Sequence, residues 1–279
     1  MKFYFSILLI PLLTGCASAN NPIMKEVTIR PGEVRFFEFD IPNENVRFFC
    51  KDREVKIQKN KTKGHAIVVE SYFSQLSPFT CYLKEKDQNL LELFFKVENR
   101  EYKAEKLRVD PKRIKLSDED QKRANAEQSI LNKIYASSSE KILFKTPFWE
   151  PIKNVVTSVY GTRRVYNKKK KGQHLGIDYR AAIGDNVPSS NAGKVVFAGD
   201  LFYTGWTVII DHGLDIFSVY GHLSKTAVVA DQFVERGESL GLSGNTGRTS
   251  GPHLHWGVKV QGEYIDGFIL IEESKKIFK

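Results

Sequence analysis

Four histidines and one aspartate in the C-terminal part of the chain constrain its fold more than any other feature, because they stand in three separate motifs. Only six histidines occur among the 279 residues. The motifs His-Leu-Gly-Ile-Asp, Tyr-Gly-His-Leu and Gly-Pro-His-Leu-His-Trp contain His174, Asp178, His222, His253 and His255. Imidazole and carboxylate groups hold a catalytic zinc ion while leaving one coordination position open. The sequence therefore predicts a fold that brings the three motifs together at a metal site.

The spacing within the motifs supports this interpretation. His253 and His255 are two residues apart, so their side chains point to the same face of a β-strand. His174 and Asp178 are four residues apart, which places them on one side of an extended segment. Three protein ligands are the number expected for a catalytic zinc, so two of the five side chains remain for acid–base chemistry near neutral pH. Taken singly, each of these residues is more often a loop or core residue; together they favour the metal site.

The remaining sequence predicts a mainly β protein with more than one domain. Residues 26–110 contain short alternating segments separated by turn signals such as Pro31-Gly32, a pattern typical of strands. We expect residues 26–110 to form a small β-sandwich-like domain of antiparallel strands. Nothing in this domain indicates catalysis. Its position is compatible with a spacer, a binding module or a cover for the active site.

A helical linker and a second β domain are predicted after the sandwich. In the linker, residues 111–145, Ser117 and Asp120 resemble a helix capping box, although Asp stands where Glu or Gln is preferred. Good helix formers follow, with Ile130, Leu131 and Ile134 on one side near the end. Residues 146–279 alternate β-branched segments with glycine turns and contain no long helix-forming stretch. We expect an antiparallel β-sheet domain there, with loops that carry the chemistry.

The N-terminus is typical of an export signal. Residues 1–15 begin Met-Lys and continue as an apolar run too short to span a bilayer as a mature helix. The sequence Leu-Thr-Gly-Cys that ends at Cys16 resembles the lipobox of bacterial lipoproteins, which implies cleavage before Cys16 and lipid attachment to it. Residues 16–25 would then be a tether. The alternative is an ordinary secretory signal with an incidental cysteine.

These features predict an exported protein, lipid-anchored in the cell envelope. If the host has two membranes, Ala17 after the cysteine resembles the outer-membrane sorting pattern, which would leave the protein facing the periplasm. Disulfides form and persist outside the cytoplasm, so we predict a bond between Cys50 and Cys81. The alternative is two buried free thiols in neighbouring strands.

The net charge of +9 includes a run of four lysines at residues 168–171, a pattern typical of a solvated surface loop. The alternative is attraction to a polyanion. Nucleic acid, anionic lipid and anionic cell wall all qualify on charge alone. The export signal conflicts with nucleic-acid binding, so no nucleic-acid partner is expected.

The order of the three motifs resembles the LytM/lysostaphin-type zinc endopeptidases of bacterial cell walls. Flanking segments agree with the same family at residues 157–164, 176–179, 193–199, 208–213 and 244–252. The resemblance covers roughly residues 146–270. It implies that His174, Asp178 and His255 bind one Zn²⁺. It also implies that His222 and His253 act as general base and transition-state stabiliser.

The resemblance implies a function as well as a site. The expected activity is zinc-dependent hydrolysis of peptide stems or cross-links in bacterial peptidoglycan, by attack of a zinc-activated water assisted by two histidines. Peptidoglycan would be the partner, reached from a membrane anchor. The alternative is a non-catalytic cell-wall-binding or amidase-activating protein. Some relatives of that kind have lost ligands, whereas this chain retains all five side chains.

Overall fold

The computed structural model describes residues 23–107, 116–166 and 170–278 and is mainly β, as the sequence predicts. The predicted signal peptide and Cys16 lie outside these residues. The strands are β1 (Ile23–Ile29), β2 (Val34–Asp40), β3 (Val46–Cys50), β4 (Arg53–Val55), β5 (Ile57–Asn60), β6 (Lys63–Val69), β7 (Phe79–Glu85), β8 (Gln88–Val97), β9 (Ala104–Leu107), β10 (Val156–Ser158), β11 (Arg163–Tyr166), β12 (Lys170–Gln173), β13 (Ile177–Arg180), β14 (Asn186–Pro188), β15 (Gly193–Leu201), β16 (Gly205–Asp211), β17 (Ile216–Thr226), β18 (Phe233–Val234), β19 (Ser239–Ser243), β20 (His253–Val260) and β21 (Glu263–Ile265). The helices are α1 (Asp118–Tyr135), α2 (Gly267–Ser274) and a 3-10 helix (Lys275–Phe278). None of the helices in the described ranges is long and apolar enough to cross a membrane.

Two sheets form the N-terminal sandwich. One has the strand order β1-β8-β7-β3-β4 and the other β2-β6-β5. Side chains of both sheets share one apolar core, since alternate residues of each strand point inward; Val46 and Phe48 are buried, whereas Arg47 between them is exposed. The pairing is antiparallel except between β1 and β8, which run parallel. The long chain segment between these two strands allows this departure from the expected antiparallel arrangement, because parallel neighbours need a long connection. β1 also begins at Ile23, inside the range expected to be a tether.

A disulfide between Cys50 and Cys81 links two strands of the larger sheet. The two residues lie directly opposite each other in the β3–β7 pair, and both are buried in the sandwich core. The pairing is the one expected from the sequence.

The C-terminal sheet has ten strands among the described residues, with the central order β10-β13-β20-β17-β16-β15-β18 and antiparallel pairing throughout. Tyr179, Tyr220 and Trp256 are fully buried on one face of this sheet. The helix α2 packs on that core and was not expected from the sequence. It begins at the cap Asp266, whose side chain accepts a hydrogen bond from the Phe268 backbone N–H. With only eight residues, the helix is too short to show a helical periodicity in the sequence.

The helix α1 covers part of the other face of the sheet. Its side chain Leu131 packs, with Tyr135, against Ile209, Phe217 and Val219. Ile130, expected on the same packed side, is half exposed. The cap predicted at Ser117 is present, since its side chain accepts from the Asp120 backbone N–H.

The segment after α1 is tied to the C-terminal sheet by buried polar contacts. The carboxylate of Asp211 accepts hydrogen bonds from the Ser138 hydroxyl at 2.6 Å and from the Ser139 backbone N–H at 2.8 Å. The Leu143 N–H donates to the carbonyl of His212 at 2.9 Å. The helix and its exit therefore pack as part of the sheet-based unit.

Removal of the disulfide tests how much it stabilises the sandwich. The double substitution Cys50→Ala, Cys81→Ala opens a loop whose ends are 31 residues apart, and it should lower the free energy of unfolding of the sandwich by about 3 to 4 kcal/mol. Urea unfolding is followed by tryptophan fluorescence, which reports on the C-terminal part because all three tryptophans lie there, and by the circular dichroism of the whole chain. An earlier transition should appear only for the N-terminal part. Wild-type protein under reducing conditions is the matched control. An unchanged first transition would contradict the stabilising role.

Candidate active site

Two neighbouring strands carry three of the five predicted site residues. β13 pairs antiparallel with β20, and Asp178 lies directly opposite His255 in their register. His253 is two residues from His255 and therefore faces the same side of the sheet. The intervening Leu254 and Trp256 are buried on the opposite, core face. The strand alternation therefore separates the polar site from the apolar core.

His174 lies in the segment before β13, and its side chain contacts Asp178 and His255. Its backbone is held by hydrogen bonds at both ends, from the His174 N–H to the Thr162 carbonyl at 2.9 Å and from the Gly161 N–H to the His174 carbonyl at 2.7 Å. These contacts place the imidazole beside the start of β13. His174 and Asp178 are both buried.

The side-chain atoms of His174, Asp178 and His255 form a compact triangle. His174 Nε2 lies 2.9 Å from Asp178 Oδ1 and 3.2 Å from His255 Nδ1, and the third side measures 2.8 Å. Three ligands of a tetrahedral zinc, each at 2.0–2.1 Å, are separated by about 3.3 Å. The donor set and its spacing thus fit a zinc ion.

Hydrogen bonds on the outer side of the triangle direct the ligand atoms inward. His174 Nδ1 lies 3.1 Å from Ser158 Oγ and 3.3 Å from the Val159 carbonyl oxygen. An Nδ1–H donated to that carbonyl leaves Nε2 as a free acceptor facing Asp178 and His255. Burial opposes ionisation of Asp178, but its contacts with the His174 and His255 imidazoles, which donate to the carboxylate when the facing ring nitrogen is protonated, outweigh burial. The pKa of this carboxyl therefore lies well below its usual range.

Gly176 gives the His255 ring the space that it occupies. A Cβ at residue 176 would lie 2.4 Å from Cε1 and 2.7 Å from Nε2 of His255, and 3.0 Å from the backbone carbonyl oxygen of Trp256. Such contacts are too short for any side chain. The glycine in His-Leu-Gly-Ile-Asp is thus required by close packing against a site residue.

His222 and His253 flank the triangle, and each is oriented by a backbone carbonyl. His222 Nδ1 lies 2.8 Å from the Thr246 carbonyl oxygen, and His253 Nδ1 lies 2.8 Å from that of Gly251. Donation of each Nδ1–H leaves Nε2 available for chemistry. The two ring centroids are 4.6 Å apart, and His253 Nε2 is 3.6 Å from Asp178 Oδ1.

The backbone of His222 is unusual for a residue with a side chain. Its φ is +62°, in the left-handed region, at an irregularity of the β16–β17 pairing. Its N–H donates to the Thr204 carbonyl at 2.6 Å. Burial, and next the nearby His255, lower the pKa of His222 to about 4. The imidazole is therefore neutral at pH 7 and can accept a proton.

Arg164 is a site residue to which the sequence analysis gave no role. Its Nη2 lies 3.6 Å from Asp178 Oδ2 and 2.9 Å from Ser158 Oγ. It thus contacts the carboxylate oxygen that points away from the triangle. Arg164 lies within a segment that matched the family resemblance, but its position depends on the β11–β12 pairing, which the sequence did not indicate.

The other two histidines lie away from this cluster. His212 is fully buried, with Nδ1 2.7 Å from the Ala192 carbonyl oxygen and Nε2 2.7 Å from Ser218 Oγ. Burial lowers its pKa to about 4, so it is a neutral structural residue, as expected. His65 contacts Glu38 in the sandwich.

Comparison with known proteins places this arrangement in a family. Residues 172–267 match Peptidase family M23. The peptidoglycan DD-endopeptidase ShyA of Vibrio cholerae is 40% identical over 112 residues, which cover 40% of this chain and 26% of ShyA. The DD-carboxypeptidase/endopeptidase Mpg of Neisseria meningitidis is 38% identical over 93 residues, covering 33% of this chain and 21% of Mpg.

A solved structure extends the likeness to most of the chain. The crystal structure of a peptidase M23 from Pseudomonas aeruginosa aligns with a TM-score of 0.68 and 26% identity, covering 91% of this chain and 97% of that one. The curated relatives are longer, and the chain spans about a quarter of their length. The C-terminal part of this protein is a peptidase M23 domain of the LytM/lysostaphin type.

Substitution of Gly176 tests the packing that holds His255. Gly176→Ala should displace the His255 ring and weaken zinc binding about 10-fold to 100-fold, the range seen when groups that orient metal ligands are altered. Competition with a chromophoric chelator measures the affinity. Gly251→Ala is the control, because a Cβ there meets nothing within 4 Å and the residue keeps its carbonyl. Equal zinc affinity of both variants would contradict the argument.

Proposed function

We propose that this protein is a zinc-dependent endopeptidase that hydrolyses peptide stems or cross-links of bacterial peptidoglycan. The observation that carries the proposal is the triangle of His174, Asp178 and His255, with side lengths of 2.8 to 3.2 Å, flanked by two further imidazoles. The names of the relatives ShyA and Mpg support the substrate class and the peptide bond as the target.

In this proposal His174, Asp178 and His255 hold a single Zn²⁺. Two nitrogens and one carboxylate oxygen leave a coordination position open. When bound there, zinc would supply Lewis acidity that activates water and polarises the scissile carbonyl. Arg164 would hold the outer oxygen of Asp178, so that Oδ1 keeps facing the ion.

The two flanking histidines have different proposed roles. His222 is neutral at pH 7 and its Nε2 is free, so it would act as the general base that accepts a proton from the attacking water. His253, on the same face as the ligands, would act in its doubly protonated form, in which Nδ1–H still donates to the Gly251 carbonyl and Nε2–H donates to the oxygen that becomes negative in the transition state. The geometry of both rings is fixed by carbonyl contacts before substrate arrives.

The proposed location is the cell envelope. The signal-like N-terminus and Cys16 support export and lipid anchoring, with the outer membrane as the proposed site in a host with two membranes. The disulfide is compatible with a compartment outside the cytoplasm. The net charge of +9 supports attraction to an anionic wall.

Substitution of His222 separates catalysis from metal binding. In His222→Ala, cleavage of purified cross-linked muropeptides should fall at least about 100-fold, because a general base is removed. Zinc content should stay at the wild-type level, because His222 lies outside the ligand triangle. His65→Ala, which alters a histidine of the sandwich, is the matched control and should keep full activity.

Mass analysis of the muropeptide products measures the activity, with and without a zinc chelator. The proposal predicts that chelation abolishes cleavage and that added zinc restores it. Full activity of zinc-free protein would refute the proposed function.

A further inference from the structure

The hairpin between β15 and β16 contacts the backbone of His222 directly. It also contacts the loop of Thr246, which in turn contacts the His222 ring. The Thr204 carbonyl in this hairpin accepts from the His222 N–H at 2.6 Å. The Trp206 N–H donates to Thr246 Oγ1 at 2.9 Å, and Gly205 packs against the backbone of Thr246 and Gly247. The Thr246 carbonyl in turn orients His222 Nδ1. The position of the hairpin therefore sets the position of the proposed general base.

The helix α1 contacts this hairpin through the carboxylate of Glu127. The Glu127 Oε2 atom accepts a hydrogen bond from the Phe202 backbone N–H at 2.8 Å, at the hairpin turn. Its other oxygen accepts from Arg123 Nε at 2.7 Å, and Arg123 Nη2 reaches Asp200 Oδ2 at 2.8 Å. Only 16% of the Glu127 side chain is exposed. Both carboxylate oxygens of Glu127 thus accept hydrogen bonds that connect α1 to the β15–β16 hairpin.

The contact between Glu127 and the hairpin matters because the backbone of His222 has an unfavourable conformation. A non-glycine residue at a φ of +62° is in a sparsely populated conformation, which persists only when its surroundings hold it. The Thr204 carbonyl supplies one of the contacts that hold it, and Thr204 is two residues from Phe202. A shift of the hairpin turn would consequently move the backbone and the ring of His222 together.

We propose that Glu127 is a positioning residue for His222, so that α1 contributes to the geometry of the active site. This inference rests on the proposed function for its activity readout. Glu127 does not touch the reacting groups; it acts through Phe202 and Thr204. A displacement of a catalytic group by about 1 Å can cost up to about 100-fold in rate, so a small movement suffices.

Two substitutions of Glu127 distinguish positioning from simple packing. Glu127→Ala removes the acceptor for the Phe202 N–H, whereas Glu127→Gln keeps a side-chain oxygen that can accept this hydrogen bond. We expect kcat for muropeptide cleavage to fall about 10-fold to 100-fold in Glu127→Ala, with KM and zinc content near wild type. Glu127→Gln should retain most of kcat. Glu119→Ala, in the exposed first turn of the same helix, is the matched control and should leave kcat unchanged.

A spectroscopic measurement tests the inference without activity. The imidazole ¹⁵N–¹H resonances of His222, assigned by their absence from His222→Ala, should shift in Glu127→Ala and return towards wild type in Glu127→Gln. Unchanged His222 resonances in a folded Glu127→Ala variant would overturn the inference, as would a lowered melting temperature with unchanged kcat. If the wild-type protein cleaves no muropeptide, the proposed function fails, and the resonances alone decide the role of Glu127.

Discussion

The antiparallel pairing of β13 with β20 is the constraint on which the rest of the site depends. Its register sets Asp178 directly opposite His255, so that their ligand atoms are 2.8 Å apart without any loop having to bring them together. The same alternation buries Leu254 and Trp256 on the other face. A slip of one residue would turn the ligands into the core and the core residues into the cleft. The apolar packing of the sheet thus fixes the relative positions of the proposed metal ligands Asp178 and His255.

Loops around this strand pair orient the imidazoles of His174, His222 and His253. Backbone carbonyls of Val159, Thr246 and Gly251 lie near the Nδ1 atoms of His174, His222 and His253, respectively, which selects the nitrogen that faces the cleft. Two of these carbonyls belong to residues 244–252, a segment rich in glycine and small polar residues, which lets the backbone approach the rings. The β15–β16 hairpin stabilises the strained conformation of His222 through the Thr204 carbonyl. Glu127 of α1 accepts a hydrogen bond from this hairpin at Phe202. The catalytic unit that we propose therefore begins before the segment that matches the family.

The sequence indicated the parts of this structure that short-range chemistry determines. The sequence indicates the histidines at an alternating spacing, the strands separated by glycine turns and the helix cap at Ser117. The number of cysteines, together with the predicted export signal, indicates the disulfide. Contacts between distant segments were not readable. The parallel β1–β8 pair, the approach of Arg164 to Asp178 and the contact of Glu127 with Phe202 each depend on how separate elements pack. The helix α2 was missed because its eight residues are too few to show a period.

The coordination of zinc in the purified protein tests the central claim most directly. X-ray absorption at the zinc edge, on protein carrying one equivalent of zinc, should show only nitrogen and oxygen neighbours at about 2.0–2.1 Å, with the scattering pattern of two imidazoles. Native mass spectrometry of the same sample should give one zinc per chain, lost when His174 or His255 is replaced by Ala. A sulfur neighbour at about 2.3 Å, or full zinc retention in those variants, would contradict the assignment of His174, Asp178 and His255 as the metal site.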